Sequence, residues 1–203
     1  MFLRSTQILS LLICLFYSLC LALSASAAGA EPTLTDVEKY LNGITTIQAD
    51  FKQTAVDGAT RTGVVYIQKP GKLRWEYLHP TNILIIGNKK DFSYYDADLD
   101  EVSYISSDSA LGTFLTQEIR FNQTIKVRQY SLANGKMHLS LHDPKDEMNT
   151  EIVMHFNQAP LKLLGFSLIE DGQPTATIEF SKLQTGNKLN EDLFDFRNPK
   201  FFR

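Results

Sequence analysis

The 203-residue chain carries a formal net charge of −3, with 20 lysines and arginines against 23 aspartates and glutamates. Apart from the pair Lys89-Lys90 its basic residues stand singly, which argues against the basic stripe of a nucleic-acid binder. Hydrophobic residues make up 43 % of the chain and charged ones 21 %, a balance that allows a buried core and excludes a highly charged disordered polymer.

The first residues read as an export signal: Arg4, then an apolar run from Ile8 to Leu23, then the small-residue string SASAAGA. Residues 1–27 are expected to be removed, with cleavage as late as 30. A membrane anchor fits less well, because the run is short of the about 20 apolar residues a bilayer span needs. Both cysteines, Cys14 and Cys20, lie inside the signal, so a mature chain would have no disulfide. Ile13 and Leu19 precede them where an acylation site needs small residues, so no lipid anchor is expected. Residues 28–203 then make a single domain of ordinary size.

LTDVEKYLNG reads as a short amphipathic helix, with Thr35 and Glu38 at capping-box spacing, Val37, Tyr40 and Leu41 as its apolar stripe, and Gly43 ending it. From Thr46 the period becomes two: Ile47, Ala49 and Phe51 on one side, Gln48, Asp50 and Lys52 on the other. Strand-and-turn units follow. A turn at Asp57-Gly58 precedes a strand from Val64 to Gln68, and Pro70-Gly71 turns the chain into the strand that carries Leu73, Trp75 and Tyr77. His79-Pro80 ends it. Asn82 to Ile86 and Phe92 to Tyr95 flank Gly87-Asn88, and a turn over Asp96 to Asp100 leads into Glu101 to Ile105.

SSDSALGTFLTQEIRF interrupts the strands with a second helical pattern carrying Ala110, Leu111, Phe114 and Leu115. Strands resume at Ile125 to Ser131 and Lys136 to Leu141, joined by Asn134-Gly135. Glu151 to Phe156, Lys162 to Glu170 and Thr175 to Ser181 follow, the last two joined by Asp171-Gly172, and a short helix or turn over Asn190 to Phe196 closes the chain. Ten or eleven alternating strands with one apolar face predict a mainly β fold, a barrel or sandwich, in which the two helices are the available covers for a curved apolar face.

No catalytic signature stands out. A G-x-S-x-G elbow, a P-loop and a dinucleotide fingerprint are all missing from the sequence, so an enzyme is not the expectation and no cofactor is implied. His138 and His142 have metal-clamp spacing for a helix, but on a strand they lie about 13 Å apart, too far to share an ion. Asp96, Asp98 and Asp100 lack the glycine and glutamate of a calcium loop and read as a polar turn. No metal ligand is assigned. The apolar set Ile47, Phe51, Val65, Ile67, Leu73, Trp75 and Tyr77 fits either an ordinary core or a binding surface, and periodicity alone favours the core.

The segments IQADFKQTAVDG, GVVYIQKPGKLRWEY, HPTNILI and YYDADLDEVSYI resemble, in order and spacing, the LolA-type periplasmic carriers of outer-membrane lipoproteins. The likeness is strong from Leu34 to about Phe121. It implies an incomplete, unclosed antiparallel β-barrel of about eleven strands covered by short α-helices. It further implies a cavity for acyl chains lined by Ile47, Ala49, Phe51, Val65, Ile67, Leu73, Trp75 and Tyr77, under a lid carrying Leu41, Leu111, Phe114 and Leu115. The family latches its lid with an arginine just before the proline of the Pro70-Gly71 turn, and here Lys69 stands at that place. It keeps the charge but not the planar fork.

The partners so implied are acylated lipoproteins as cargo, an inner-membrane lipoprotein-releasing ABC transporter complex and an outer-membrane lipoprotein acceptor, met by a monomer in the periplasm. Two alternatives share the fold: an envelope protein that binds or senses another lipid, and the outer-membrane acceptor itself, from which an acylation cysteine would be expected. An outer-membrane barrel fits badly, since most runs are shorter than spanning strands of about 9 to 11 residues.

Overall fold

The computed structural model describes residues 31–88, 91–105, 118–142 and 150–195. The expected export signal and the lid helix with Leu111, Phe114 and Leu115 lie outside them.

Helix α1 (Leu34–Gly43) begins earlier than its sequence signature suggests. Thr33, not Thr35, is the N-cap: its hydroxyl accepts from Asp36 N (3.2 Å) while the Asp36 carboxylate takes Thr33 N (2.9 Å), a reciprocal box that satisfies two otherwise orphaned donors. Those bonds hold the Asp36 carboxyl below its ordinary pKa. Glu38, released from capping, reaches across to another segment, where its carboxylate accepts from Phe121 N at 2.7 Å.

Eleven strands follow: β1 (Thr46–Ala55), β2 (Thr60–Gln68), β3 (Lys72–Tyr77), β4 (Ile83–Asn88), β5 (Asp91–Asp96), β6 (Glu101–Ile105), β7 (Lys126–Ala133), β8 (Lys136–His142), β9 (Glu151–Asn157), β10 (Lys162–Glu170) and β11 (Gln173–Thr185). A 3₁₀ turn spans Glu191–Phe194. The strands form one antiparallel sheet in the order β6-β5-β4-β3-β2-β1-β11-β10-β9-β8-β7. Because β6 and β7 are the two edges and do not pair, the barrel is not closed. The first and last strands meet at its centre, Phe51 opposite Phe180. The expected fold class is the one observed.

The hairpin turns carry out their sequence chemistry. Asn134 and Gly135 (φ 51° and 71°) and Asp171 and Gly172 (φ 50° and 75°) both take the left-handed pair that matches strand twist in a two-residue turn. Asp96 Oδ1 accepts from the backbone of Asp98 (3.0 Å) and Leu99 (3.2 Å), so the aspartate loop is a self-bonded polar turn. Gly87-Asn88 is different. Both residues belong to β4, and Gly87 is required by packing: a Cβ there would stand 2.2 Å from the Phe92 ring.

Alternation sorts the side chains. On β1, Ile47, Ala49 and Phe51 are buried while Gln48 and Lys52 face solvent. On β3, Leu73 and Trp75 point inward, and Arg74 and Glu76 pair on the convex face at 2.7 Å. Across from Phe51, β2 supplies Gly63. A Cβ at Gly63 would lie 2.2 Å from the Glu76 carbonyl oxygen and 2.4 Å from the Phe51 ring. Since the backbone cannot retreat, Gly63→Ala is expected to cost about 1–3 kcal/mol, measured as a lower urea midpoint at unchanged m-value. An unaltered midpoint would mean that the Phe51 ring and β3 are free to shift.

The buried residues form two inner clusters. One holds Ile47, Phe51, Val65, Leu73 and Trp75 from β1 to β3 with Ile178 of β11. The other joins Val37 and Leu41 of α1 to Ile119, Ile125 and the inward residues of β8 to β10, Phe156 among them. A third, smaller cluster of Leu84, Ile86 and Tyr95 lies on the convex side.

Candidate functional site: an apolar cavity at the seam of two cores

The two inner clusters do not fuse completely. Between them lies a cavity with about 50 Å³ of free space, lined from one side by Ile47, Ile67, Leu73 and Trp75 and from the other by Leu41, Ile119, Ile125, Leu141, Ile152, Met154 and Leu163, with Phe166 and Phe180 bridging. Every lining side chain is hydrocarbon, thioether or aromatic. Such a wall attracts apolar chains and offers nothing to a charged or sugar-like ligand. The volume is a fraction of the roughly 300–1,000 Å³ of ordinary ligand pockets, so anything as long as an acyl chain enters only if the walls part.

Trp75 organises the aromatic part of the wall. Its ring centroid lies 4.3 Å from that of Phe51, 6.2 Å from Phe166 and 6.3 Å from Phe180, and Phe166 and Phe180 meet at 6.0 Å. Phe51 in turn meets Tyr77 edge-on at 5.1 Å. Beyond Phe51 the face becomes polar: the Tyr77 hydroxyl donates to Gln53 Oε1. Burial raises the Tyr77 pKa, and the neighbouring Trp75 N–H acts in the opposite direction.

The cavity is covered by α1, and side chains tie that helix to the chain beneath it. Asn42 exchanges two bonds with the backbone of Ile119 (2.8 and 2.9 Å), and Leu163 N donates to the Tyr40 hydroxyl at 3.0 Å. From the turn between β2 and β3, Lys69 Nζ donates to the Leu41 carbonyl at 3.3 Å. That carbonyl belongs to the last turn of α1, where no intrahelical partner exists, and a cation suits it both as donor and as counter-charge to the helix end. Burial pushes the Lys69 amine down to about 8. Lys69 also takes part in interactions beyond this one.

The sequence-expected residues divide. Ile47, Ile67, Leu73 and Trp75 line the cavity, as does Leu41 from the lid set. Ala49, Phe51 and Val65 belong to the continuous core beside it, with Tyr77 packed against that core. Leu111, Phe114 and Leu115 lie outside the described residues, and so do the carbonyls near them that a latch would reach. His138 finds its partner across the hairpin: its Nδ1 lies 2.7 Å from Nδ1 of His155, whose Nε2 meets Ser167 Oγ at 2.8 Å. The pKa of His155 is lowered by burial and then by the charge that His138 can carry.

Residues 42–197 match the family of the outer membrane lipoprotein carrier protein LolA. The chain belongs to the LolA family. Among LolA relatives, an outer-membrane lipoprotein carrier protein of Methylococcus capsulatus is 28 % identical over 86 % of this chain and 88 % of its own. One of Nitrosomonas europaea is also 28 % identical, over 94 % and 95 %. An uncharacterized protein of Rickettsia prowazekii reaches 29 % over 91 % and 86 %. A crystal structure of an uncharacterized conserved protein from Thermus thermophilus shares the fold with a TM-score of 0.50 at 12 % identity, covering 82 % of this chain and 96 % of that one.

Half of the wall lies beyond Phe121, where the stretch that carried the resemblance ends, and none of its residues was expected there. Leu141, Ile152, Met154, Leu163 and Phe166 come from β8 to β10. Their strands alternate well enough to be recognised, but alternation does not say which strand faces which across a barrel. On β10 it also breaks. The register shifts between Leu163 and Gly165, so Leu163 and Phe166, three apart, both line the cavity. Gly165 permits the shift with φ 152° and with Ile178 O only 2.0 Å from where a Cβ would stand.

Proposed function

We propose that the mature chain is a periplasmic chaperone that takes the acyl chains of lipoproteins into the cavity under α1 and carries them from the inner to the outer membrane. The observation that carries this reading is the wholly apolar cavity left between two cores of an unclosed barrel. A lipid anchor is insoluble because each CH₂ it exposes costs about 0.8 kcal/mol. A carrier must offset that cost and still release. A cavity that is nearly filled by its own side chains does both: bound chains replace wall contacts, and closure of the walls expels them.

The cover moves as one piece in this reading, since Asn42 and Glu38 bind α1 to residues 119 and 121. Lys69 is the latch that holds it. Cargo would be received from an inner-membrane lipoprotein-releasing ABC transporter complex and passed to an outer-membrane acceptor, with no cofactor and no chemical step.

The test is displacement. A fluorescent fatty-acyl probe is expected to bind the mature chain stoichiometrically and to be displaced by a triacylated lipopeptide, but not by the same peptide without acyl groups. Equal indifference to both peptides would remove the carrier reading. Displacement by another envelope lipid in preference to the lipopeptide would move the protein to the lipid-binding alternative. Protein taken from the periplasm should have lost its first 27 to 30 residues by intact mass, and retention of them would refute export with cleavage.

A further inference from the structure

Among the described residues, the large apolar side chains left in water are not scattered. They are Val56, Leu78, Leu99, Val102 and Tyr104, all between the end of β1 and the end of β6. Val56, Leu78 and Leu99 share one rim of the sheet. β1, β3 and β5 run toward that rim and β2, β4 and β6 run away from it, so the β1–β2, β3–β4 and β5–β6 turns stand side by side there. Each turn offers one apolar tip, 73 %, 48 % and 66 % exposed in chain order. The turns are firmly bonded. Gly58 N donates to the Ala55 carbonyl (3.0 Å) and Ala59 N to Asp57 Oδ1 (2.9 Å) around Val56, and Leu78 N donates to the Thr62 carbonyl at 2.8 Å. Ala97 N donates to the Asn82 carbonyl (2.9 Å) and Asn82 Nδ2 to Asp98 Oδ1 (2.7 Å), which ties the Leu99 turn to the Leu78 loop. Backbones so fixed hold the three tips out in water, a cost that a partner removes.

Spacing and charge select the partner. Neighbouring strands stand about 4.8 Å apart, so turns two strands apart place their tips about 10 Å from one another, with polar residues between them. A protein partner needs a contiguous, closely fitted patch, whereas a bilayer accepts separate apolar tips one by one. Asp57 follows Val56, Asp98 and Asp100 flank Leu99, and Glu101 opens β6, against Arg61 on β2 and His79 after Leu78. That surplus of carboxylates is repelled by an anionic surface. A zwitterionic headgroup carries its ammonium outermost, where the carboxylates beside the tips meet it.

We propose that this rim docks on a zwitterionic bilayer, with Val56, Leu78 and Leu99 entering its interfacial layer and the neighbouring carboxylates staying among the headgroups. One strand joins the rim to the cavity: Leu73 and Trp75 of β3 line it, and Leu78 directly follows the last residue of that strand. The inference rests on the carrier reading for its purpose and adds that the chain itself meets the membrane its cargo leaves or enters. The three tips hold less hydrocarbon than one myristoyl chain, which alone binds a membrane only marginally and reversibly. The contact is therefore brief, as a carrier requires.

Co-sedimentation of the mature chain with sucrose-loaded vesicles tests the docking. Phosphatidylcholine vesicles at millimolar lipid are expected to carry down part of the protein. Val56→Ser, Leu78→Ser and Leu99→Ser should each weaken the partition about threefold, the effect of half-burying one aliphatic side chain, and the triple variant about twentyfold. Tyr104→Ser, farther along β6, should leave it unchanged. Exchanging half of the lipid for phosphatidylglycerol should weaken binding at low salt, and about 0.5 M salt should restore it. The three sites are exposed, so the triple variant should keep the parental urea midpoint and take up the fluorescent acyl probe from solution as the parent does. If it does not fold, the single variants decide the matter. A parent chain that takes up the probe but does not sediment with phosphatidylcholine would overturn the docking and leave the carrier reading standing. Failure to take up the probe would remove the carrier reading, and the vesicles would still decide the docking. Tighter binding to phosphatidylglycerol that salt weakens would overturn the proposal in favour of a basic face, and a lipid-free dimer lost in the triple variant would give the tips to a second copy of the chain.

Discussion

Phe51→Asp is expected to abolish the folded state. Phe51 is 2 % exposed and packs against Trp75, Tyr77 and the bare backbone at Gly63. Truncating a buried phenylalanine costs about 3–5 kcal/mol by itself. The new carboxylate would meet aromatic faces on one side and the β2–β3 backbone on the other, and burying it unpaired adds several kcal/mol more. The sum reaches the about 5–15 kcal/mol that holds a whole domain. Circular dichroism and urea titration of the variant should show a loss of cooperative unfolding at neutral pH. Because the cavity lies beside Phe51 and not over it, the variant tests the core and says nothing separate about acyl binding. A variant that unfolds cooperatively at the parental urea midpoint would show that water reaches position 51, and the inner face would then need to be redrawn.

How far this site could be read in advance depends on the range of the interactions that build it. Alternation is local, so the inward set Ile47, Ala49, Phe51, Leu73 and Trp75 was legible from β1 and β3 alone. Turn chemistry is local too, and Asn134-Gly135 and Asp171-Gly172 sit where the residues require. The apparent Gly87-Asn88 turn misled because two different demands select glycine. One is a positive φ, and the other is space, here for the Phe92 ring. The cap falls at Thr33 with Asp36 and not at Thr35, and Glu38, the box partner expected for Thr35, instead accepts from Phe121 N, 83 residues away. The opposite wall was illegible for a stronger reason. Nothing in the sequence of β8 to β10 states that it curls over β3, since that follows from β1 pairing with β11 and from the bulge at Gly165. His138 likewise chose His155, a neighbour by register, over His142, a neighbour by spacing.

Lys69 should make cavity opening depend on pH, with a sign opposite to that of a simple ionic latch. In the covered arrangement burial holds its amine at about 8, against 10.5 for a solvated lysine. Below pH 8 the side chain is charged whether the cover is down or lifted, and the covered form carries the full cost of a desolvated ammonium. As pH rises from 8 toward 10.5 the covered form gives up its proton while the lifted form keeps it. Opening then requires proton uptake, so closure strengthens by up to about tenfold per pH unit across that window. Uptake of the fluorescent acyl probe should therefore slow between pH 8 and pH 10. Lys69→Leu should remove this dependence. Near pH 10, where the covered Lys69 is largely neutral, the same substitution leaves the Leu41 carbonyl without its donor, which costs the covered form about 1–3 kcal/mol. Relief of the buried charge offsets only part of that cost near pH 10, so uptake several-fold faster than the parent's is expected there, whereas at pH 7 the full relief matches or exceeds the lost bond and uptake is not expected to be faster. Lys69→Arg keeps a donor for the Leu41 carbonyl but not the pH dependence, because the guanidinium stays charged throughout. An uptake rate that is flat in pH for the parent and unchanged near pH 10 in Lys69→Leu would make Lys69 an ordinary turn residue, and the hold on α1 would have to lie in the Asn42, Glu38 and Tyr40 bonds instead.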